Sequence, residues 1–386
     1  MSTSLVLITN DLEETDQRGR DLIASIVVDN GHGRLVIEST TKIVLEQKLQ
    51  SKDSRDAPGF SAHAPSVHYI SAQPFGKSAG DQCMTLAIVN AKGDAIIYPT
   101  TNLKIDKGEG FIFDHYASKD GHIDILTAPD VPAVVICGSR TKDPRAAASG
   151  LVFQAWGSAN NQGEPELKDW LRTTIRIREE DQGHVPSFEA VTGGEGLGHF
   201  AAYRDNQGHM YIRTISRQDF ANGREADKTF WSLHAVEKKV RSRSIPALVN
   251  TLSDRNRLHI FYVDWDYHLR HFTIAVDDNG KIASPQASGE IIATGDNIIT
   301  PTEDLNWKDL RPRALLYDGA LYCFFGISGA NKGKGMGNPD RKVAYVKYSE
   351  QEKTWSRTMI LDVRMPDSYD LAGFGIAEVP RAAIGR

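Results

Sequence analysis

The feature that most constrains this chain is a hairpin unit that recurs along its length. Each unit has a run of apolar or β-branched residues, a short polar turn, and a second run that alternates. Six segments fit. Residues 22–28 turn at Asp29-Asn30-Gly31, residues 84–89 turn at Lys92-Gly93-Asp94, and residues 134–137 reach 151–153 after a longer turn. Residues 199–203 turn at 205–208 into 210–212, and residues 258–263 turn at Asp264-Trp265-Asp266 into 268–272. The sixth run, 320–325, reaches 343–346 after a Gly-rich insertion. The starts lie about 50 to 65 residues apart, the period of a solenoid, propeller or array. Helical signatures are almost absent.

A short strand precedes several hairpins, as in residues 65–70, 246–250 and 312–317, and a further strand with Trp at its start follows, as at Trp231 and Trp355. Four antiparallel strands per unit of roughly 60 residues describe a propeller blade, and six such units fill the chain. The expected fold is therefore all-β, one six-bladed β-propeller domain spanning residues 1–386. Closing the ring requires the two ends to share a blade, and residues 4–9 and 374–379 offer the strands. Two β-sandwiches of about 190 residues each are the competing architecture, but no linker-like stretch interrupts the middle.

Composition narrows the function. With 45 Lys+Arg against 50 Asp+Glu dispersed along the chain, no basic face offers itself to nucleic acid. No apolar run approaches the roughly 20 residues of a membrane helix, and the first ten residues lack a basic n-region and a full h-region. The three cysteines, Cys83, Cys137 and Cys323, are far apart within apolar runs, as buried strand thiols are, and no Asn-x-Ser/Thr sequon occurs. The expectation is a cytoplasmic protein that binds a small molecule, with no nucleic-acid or membrane partner.

Local motifs supply little chemistry. The Gly-rich stretch 329–339 lacks the spacing of a phosphate loop, the 12 histidines form no His-Glu-x-x-His, and no G-x-S-x-G elbow occurs. Neither a metal nor a cofactor is expected. A site would instead be assembled from several blades, at the loops leading into the innermost strands. Those positions hold Phe60 and His63; Lys119, Asp120 and His122; Glu180, His184 and Glu189; Arg241 and Arg243; Trp307, Arg311 and Arg313; and Arg364, Tyr369 and Asp370. His and Tyr transfer protons near neutral pH, Arg fixes an oxyanion, and aromatic rings pack an apolar substrate. The proton-transfer candidates are His63, His122, His184 and Tyr369; the substrate-binding candidates are Phe60, Arg243, Trp265, Trp307, Arg311 and Arg313.

Two resemblances follow from residue patterns, and a third from size and architecture. The segment 349–355, Ser-Glu-Gln-Glu-Lys-Thr-Trp, is similar to the Asp-box turn of sialidase-type propellers, one residue short and without its Asp and Gly. Those enzymes also use an Arg clamp with a Tyr nucleophile, roles that Arg243, Arg311, Arg313 and Tyr369 would take. The units 199–212 and 258–272, each an apolar strand ending at Tyr, an acidic turn and a second strand, resemble the blades of fungal fucose-binding lectins. In such lectins Arg, Glu and Trp recur blade after blade. Here the turns differ in every unit, which favours one unique site over many equal ones and so an enzyme over a lectin.

In size and architecture the chain also resembles intracellular propeller enzymes of fungal natural-product pathways, including the hetero-Diels-Alderases that join a tropolone quinone methide to humulene. That likeness implies dehydration of a hydroxymethyl tropolone followed by cycloaddition. His63, His122 or His184 would transfer the proton, Arg243 and Arg311 would hold the tropolone oxygens, and Phe60, Trp265 and Trp307 would wall the alkene. The lectin alternative implies exposed aromatic-plus-Arg pockets between blades.

Overall fold

In the computed structural model the strands are described along the whole chain. Side chains are described over 208–212, 240–244, 246–249, 257–276, 289–294, 312–314, 320–327, 343–349 and 351–360, and at 200, 202, 204, 214, 282 and 298. The chain forms two compact units, residues Met1–Val185 with Ala372–Arg386, and Pro186–Leu371.

In the first unit β1 (Thr3–Leu7) is followed by a three-stranded sheet of β2 (Ile23–Asp29), β3 (His32–Glu38) and β4 (Ile43–Leu49). Next come β5 (Ser66–Ile70), β6 (Cys83–Val89), β7 (Ala95–Thr101), β8 (Lys104–Ile105) and β9 (Phe111–Phe113), with both β8 and β9 on the edge of β7. The third sheet is β10 (Ile123–Thr127), β11 (Val134–Arg140), β12 (Gly150–Ala159) and β13 (Pro165–Arg176).

The second unit holds β14 (Phe188–Thr192), β15 (His199–Arg204), β16 (Met210–Ile215) and β17 (Ser232–Ala235) in one sheet, and β18 (Ala247–Asn250), β19 (Arg257–Val263), β20 (Leu269–Ala275) and β21 (Glu290–Ala293) in the next. The last sheet is β22 (Arg313–Tyr317), β23 (Ala320–Ser328), β24 (Arg341–Ser349), β25 (Thr354–Trp355) and β26 (Met359–Leu361). Finally β27 (Leu371–Ile376) pairs with β1, so the two ends of the chain meet in one sheet as ring closure requires. All the strand pairs whose register is described are antiparallel, and each of the six recurrent hairpins forms.

The sheet β18–β21 shows why its strands read as nearly continuous apolar runs. One face places Leu258, Ile260, Tyr262, Phe272 and Ile274 against Phe200, Ala202, Met210 and Ile212 of the preceding sheet. The other places Ala247, Val249, Phe261, Val263 and Leu269 against Leu321, Cys323, Phe325, Ala344 and Val346 of the following one. A strand buried on both faces needs no polar alternation, so Leu258 to Val263 carries one half-buried polar residue, His259.

Cys323 is fully buried with a free thiol that burial pushes well above its ordinary pKa, as expected for a strand cysteine. Cys83 and Cys137 lie in β6 and β11. The 349–355 segment is a turn from β24 into β25, with the hydroxyl of Ser349 accepting the Glu352 N–H at 3.2 Å.

Candidate functional site

One end of the β18–β21 sheet gathers three stretches of chain: the β15/β16 turn at Gly208, the approach to β18 at 240–244, and the β19/β20 turn at 264–268. The turn is built around Asp264. Its Oδ1 accepts the backbone N–H groups of Asp266 and His268, both at 2.9 Å, while its own N–H donates to the His268 carbonyl at 3.0 Å. Its Oδ2 accepts Nε–H of Arg270, whose Nη1 also donates to the Gly289 carbonyl at 3.2 Å. Burial alone would push the Asp264 pKa up. The Arg270 hydrogen bond and charge, with the His268 and Asp266 amides, outweigh it and hold the carboxyl below its usual range.

Tyr267 completes the turn with φ of 61°, the left-handed conformation that closes a tight reversal. The sequence alone places the second strand from His268. In the structure His268 is part of the turn and β20 begins at Leu269, because Asp264 holds the His268 amide.

The approach to β18 is stitched to this turn through its backbone. Arg243 N–H donates to the Val263 carbonyl at 2.7 Å, and the Ser244 hydroxyl accepts the Val263 N–H at 2.9 Å. Ser242 N–H reaches the Gly208 carbonyl at 2.8 Å. Gly208 has φ of 83°, and a Cβ there would lie 2.7 Å from the Ser242 carbonyl oxygen and 3.2 Å from Trp265 Nε1, so only glycine fits.

These constraints set the Arg243 guanidinium 4.4 Å from the Tyr267 ring centroid and 5.3 Å from that of Trp265. Each contact is a cation–π interaction in range. The Trp265 indole is nevertheless 44% exposed, while Val263 and Leu269 beside the turn are fully buried. An exposed indole held by a guanidinium is a fixed platform, not a loose loop residue.

A second polar cluster lies on the face of the same sheet that meets β22–β26. The rings of His259 and His271 stack with centroids 5.2 Å apart, and their Nδ1 and Nε2 atoms lie 2.9 Å apart. His271 Nδ1 is 3.0 Å from Glu290 Oε1, which also accepts the Trp355 Nε1–H at 2.9 Å. Burial pulls His271 below its ordinary pKa, against the opposing pull of Glu290. Burial would raise Glu290, but its bonds from Trp355 and His271 bring it below the usual value.

Of the residues expected at the site, the structure brings Arg243 and Trp265 together. Arg313 is the first residue of β22 and is 5% exposed, a buried strand position rather than a loop one. Phe60, His63, His122, His184, Trp307, Arg311 and Tyr369 lie outside the described residues. Sequence reasoning missed Tyr267, because nothing in the pattern shows that a turn residue in the left-handed conformation will turn its ring onto Arg243. It missed His259, His271, Glu290 and Trp355 because they come from four strands of two sheets, and only the alternation of polar residues within β19 and β20 hinted at them.

Comparisons with known proteins agree with this architecture. No family model matches the chain, and no curated protein matches it in sequence. Among solved structures it is similar to the Aleuria aurantia fungal lectin, described as a six-bladed β-propeller with a fucose recognition mode. That match has a TM-score of 0.53 at 9% identity, over 95% of this chain and 97% of the lectin. It is similar also to the lectin AofleA of Arthrobotrys oligospora, with a TM-score of 0.53 at 7% identity over 97% and 90% of the two chains. The BP39L lectin of Burkholderia pseudomallei gives a TM-score of 0.52 at 12% identity, over 90% and 83%. The fold is a six-bladed β-propeller built of antiparallel strands. Among the described residues no helix is long and apolar enough to cross a membrane.

Proposed function

We propose that this chain is a carbohydrate-binding propeller and that the Trp265 platform is a sugar site. The observation that carries it is the exposed indole with Arg243 packed on it and on Tyr267. A pyranose presents an apolar C–H face that stacks on an indole, and its ring hydroxyls need charged or polar partners at the edge of the contact. Arg243 and the exposed Asp266 supply a donor and an acceptor of that kind beside Trp265. The solved lectins of the same fold add support, one of them being described with bound α-methyl-L-fucoside. They support the lectin alternative over the cycloaddition reading, for which the described residues provide only the Arg243–Trp265 pair.

That residues 1–386 make a single propeller domain belongs to the same proposal, supported by six successive sheets and the β1–β27 pair. So does a cytoplasmic location, supported by the buried free thiol of Cys323.

The test is calorimetric titration with a monosaccharide panel that includes L-fucose and methyl fucoside, and with a simple tropolone in parallel. Saturable sugar binding, lost in Trp265→Ala while the thermal transition stays within a few degrees, is the expected result. Silence towards every sugar with one tropolone bound per chain would replace the lectin by the enzyme.

A further inference from the structure

The charge around the Trp265 platform runs against that of the chain that carries it. The whole protein has a formal net charge of -5. At this end of the β18–β21 sheet Asp264 and Arg270 pair and cancel. That leaves Arg241 and Arg243 against the single carboxylate of Asp266 among the described residues of the three stretches that meet there. Arg243 has two ring partners. Arg241 is exposed, and among the described residues no carboxylate and no ring pairs with its guanidinium.

Backbone pairing fixes where Arg241 stands. The Ser242 N–H points to the Gly208 carbonyl and the Arg243 N–H points the other way, to the Val263 carbonyl, as amides do in extended chain. Alternate side chains of such a segment face opposite ways. Ser242 and Ser244 are fully buried, with the Ser242 hydroxyl donating to the Ser244 carbonyl, whereas Arg241 is exposed and Arg243 half-buried. Two residues of extended chain separate the two arginine Cα atoms by roughly 7 Å. Arg241 is bridged to His209, the residue after the glycine that abuts Trp265 Nε1. Arg243 therefore covers the indole ring, and Arg241 flanks the platform on the side of the indole N–H.

We propose that the Trp265 platform takes an anionic saccharide, whose carboxylate or sulfate group is bound by Arg241 at the edge of the indole. The inference rests on the sugar-site reading above and names the class of sugar. A pyranose stacked on the indole projects its exocyclic substituent beyond the ring face, where the exposed guanidinium stands. The planar fork of a guanidinium matches two oxygens of a carboxylate or sulfate with parallel N–H bonds, and such charge-assisted bonds are the strong ones. A neutral pyranose meets the same indole and the same Asp266 acceptor, but it offers Arg241 no charge. The positive balance of this end also attracts an anion from a distance, and salt screens that attraction.

The experiment compares matched pairs of ligands on the full chain by calorimetry. Methyl glucuronide is set against methyl glucoside and galacturonic acid against galactose for the carboxylate, and galactose 6-sulfate against galactose for the sulfate. Methyl fucoside serves as a further neutral ligand. The acidic member of at least one pair is expected to bind about 5- to 10-fold more tightly than its neutral partner. Raising NaCl to about 0.5 M shrinks that ratio. The pair that shows it identifies the anionic group. In Arg241→Gln, an exposed position whose bridge to His209 is made by backbone, the ratio falls to near one. In Arg257→Gln, an exposed arginine at the opposite end of β19, it stays at the wild-type value. Circular dichroism melts confirm that each variant is folded. Sugar binding with no preference for any acid, or a preference that survives Arg241→Gln or vanishes in Arg257→Gln, overturns this inference and leaves the sugar platform standing. Silence towards every ligand, neutral and acidic, overturns the sugar-site reading and this inference with it.

Discussion

Gly208 is a residue whose chemistry is set by what crosses it. The backbone of Ser242 and the indole of Trp265 both press on the space where a Cβ would stand, and φ is already in the left-handed region. Gly208→Ala is expected to cost about 1–3 kcal/mol, from the strain of an unfavourable φ and displacement of the Ser242 contact. Denaturant melts measure the loss, and because the shift reaches Trp265 Nε1, a change in indole emission is expected with it.

Arg243 contributes differently. Arg243→Ala removes two ring contacts each worth about 0.5–1 kcal/mol, so a small loss of stability is expected beside a larger loss of sugar affinity. Arg243→Lys, which keeps the charge but not the planar guanidinium, should recover part of the stability and little of the affinity.

The element that decides the site is the 264–268 turn. Its acidic start was legible in the sequence, since an Asp followed by a short polar stretch between two apolar runs announces a turn. Its length was not, because the amide of His268 is captured by a carboxylate four residues earlier. Asp264 is held below its ordinary pKa, so the folded state favours its ionised form. The stability it contributes is complete above the unfolded pKa of about 3.9 and is lost as pH falls through the lower folded value.

Asp264→Asn keeps an acceptor for the turn amides but loses the charge facing the mostly buried Arg270. Its stability deficit relative to wild type is expected to be about 1–3 kcal/mol at neutral pH, shrinking below about pH 4. Unfolding curves collected from pH 3 to pH 7 check both the size and the sign. A deficit that grew in acid would contradict the ion-pair assignment.

Across the molecule the β18–β21 sheet is buried on both faces, and the interior it shares with β22–β26 shields Cys323 completely. The thiol is both inaccessible and held in its protonated form, so native labelling by iodoacetamide at pH 8 should leave Cys323 unmodified while denatured protein is labelled within minutes. Peptide mass spectrometry reads the outcome. Labelling of Cys323 in the native chain would mean that the β22–β26 sheet opens locally far below the global unfolding free energy.

The repeating architecture is written in the amino-acid order. The six hairpins, the short strands before them at β5, β18 and β22, and the two terminal strands now paired as β1 and β27 were all readable, because hydrophobic period and turn chemistry are local properties of the chain. Of the site, the sequence offered Arg243 and Trp265 as separate loop residues, and Arg313 as another that the structure buries within a strand.

Folding alone sets Arg243 on Trp265 and Tyr267, and joins His259, His271, Glu290 and Trp355 across two sheets. The physical reason is one of distance along the chain. Glu290 and Trp355 are 65 residues apart and meet through a single hydrogen bond whose geometry depends on how two sheets stack, which no local pattern encodes.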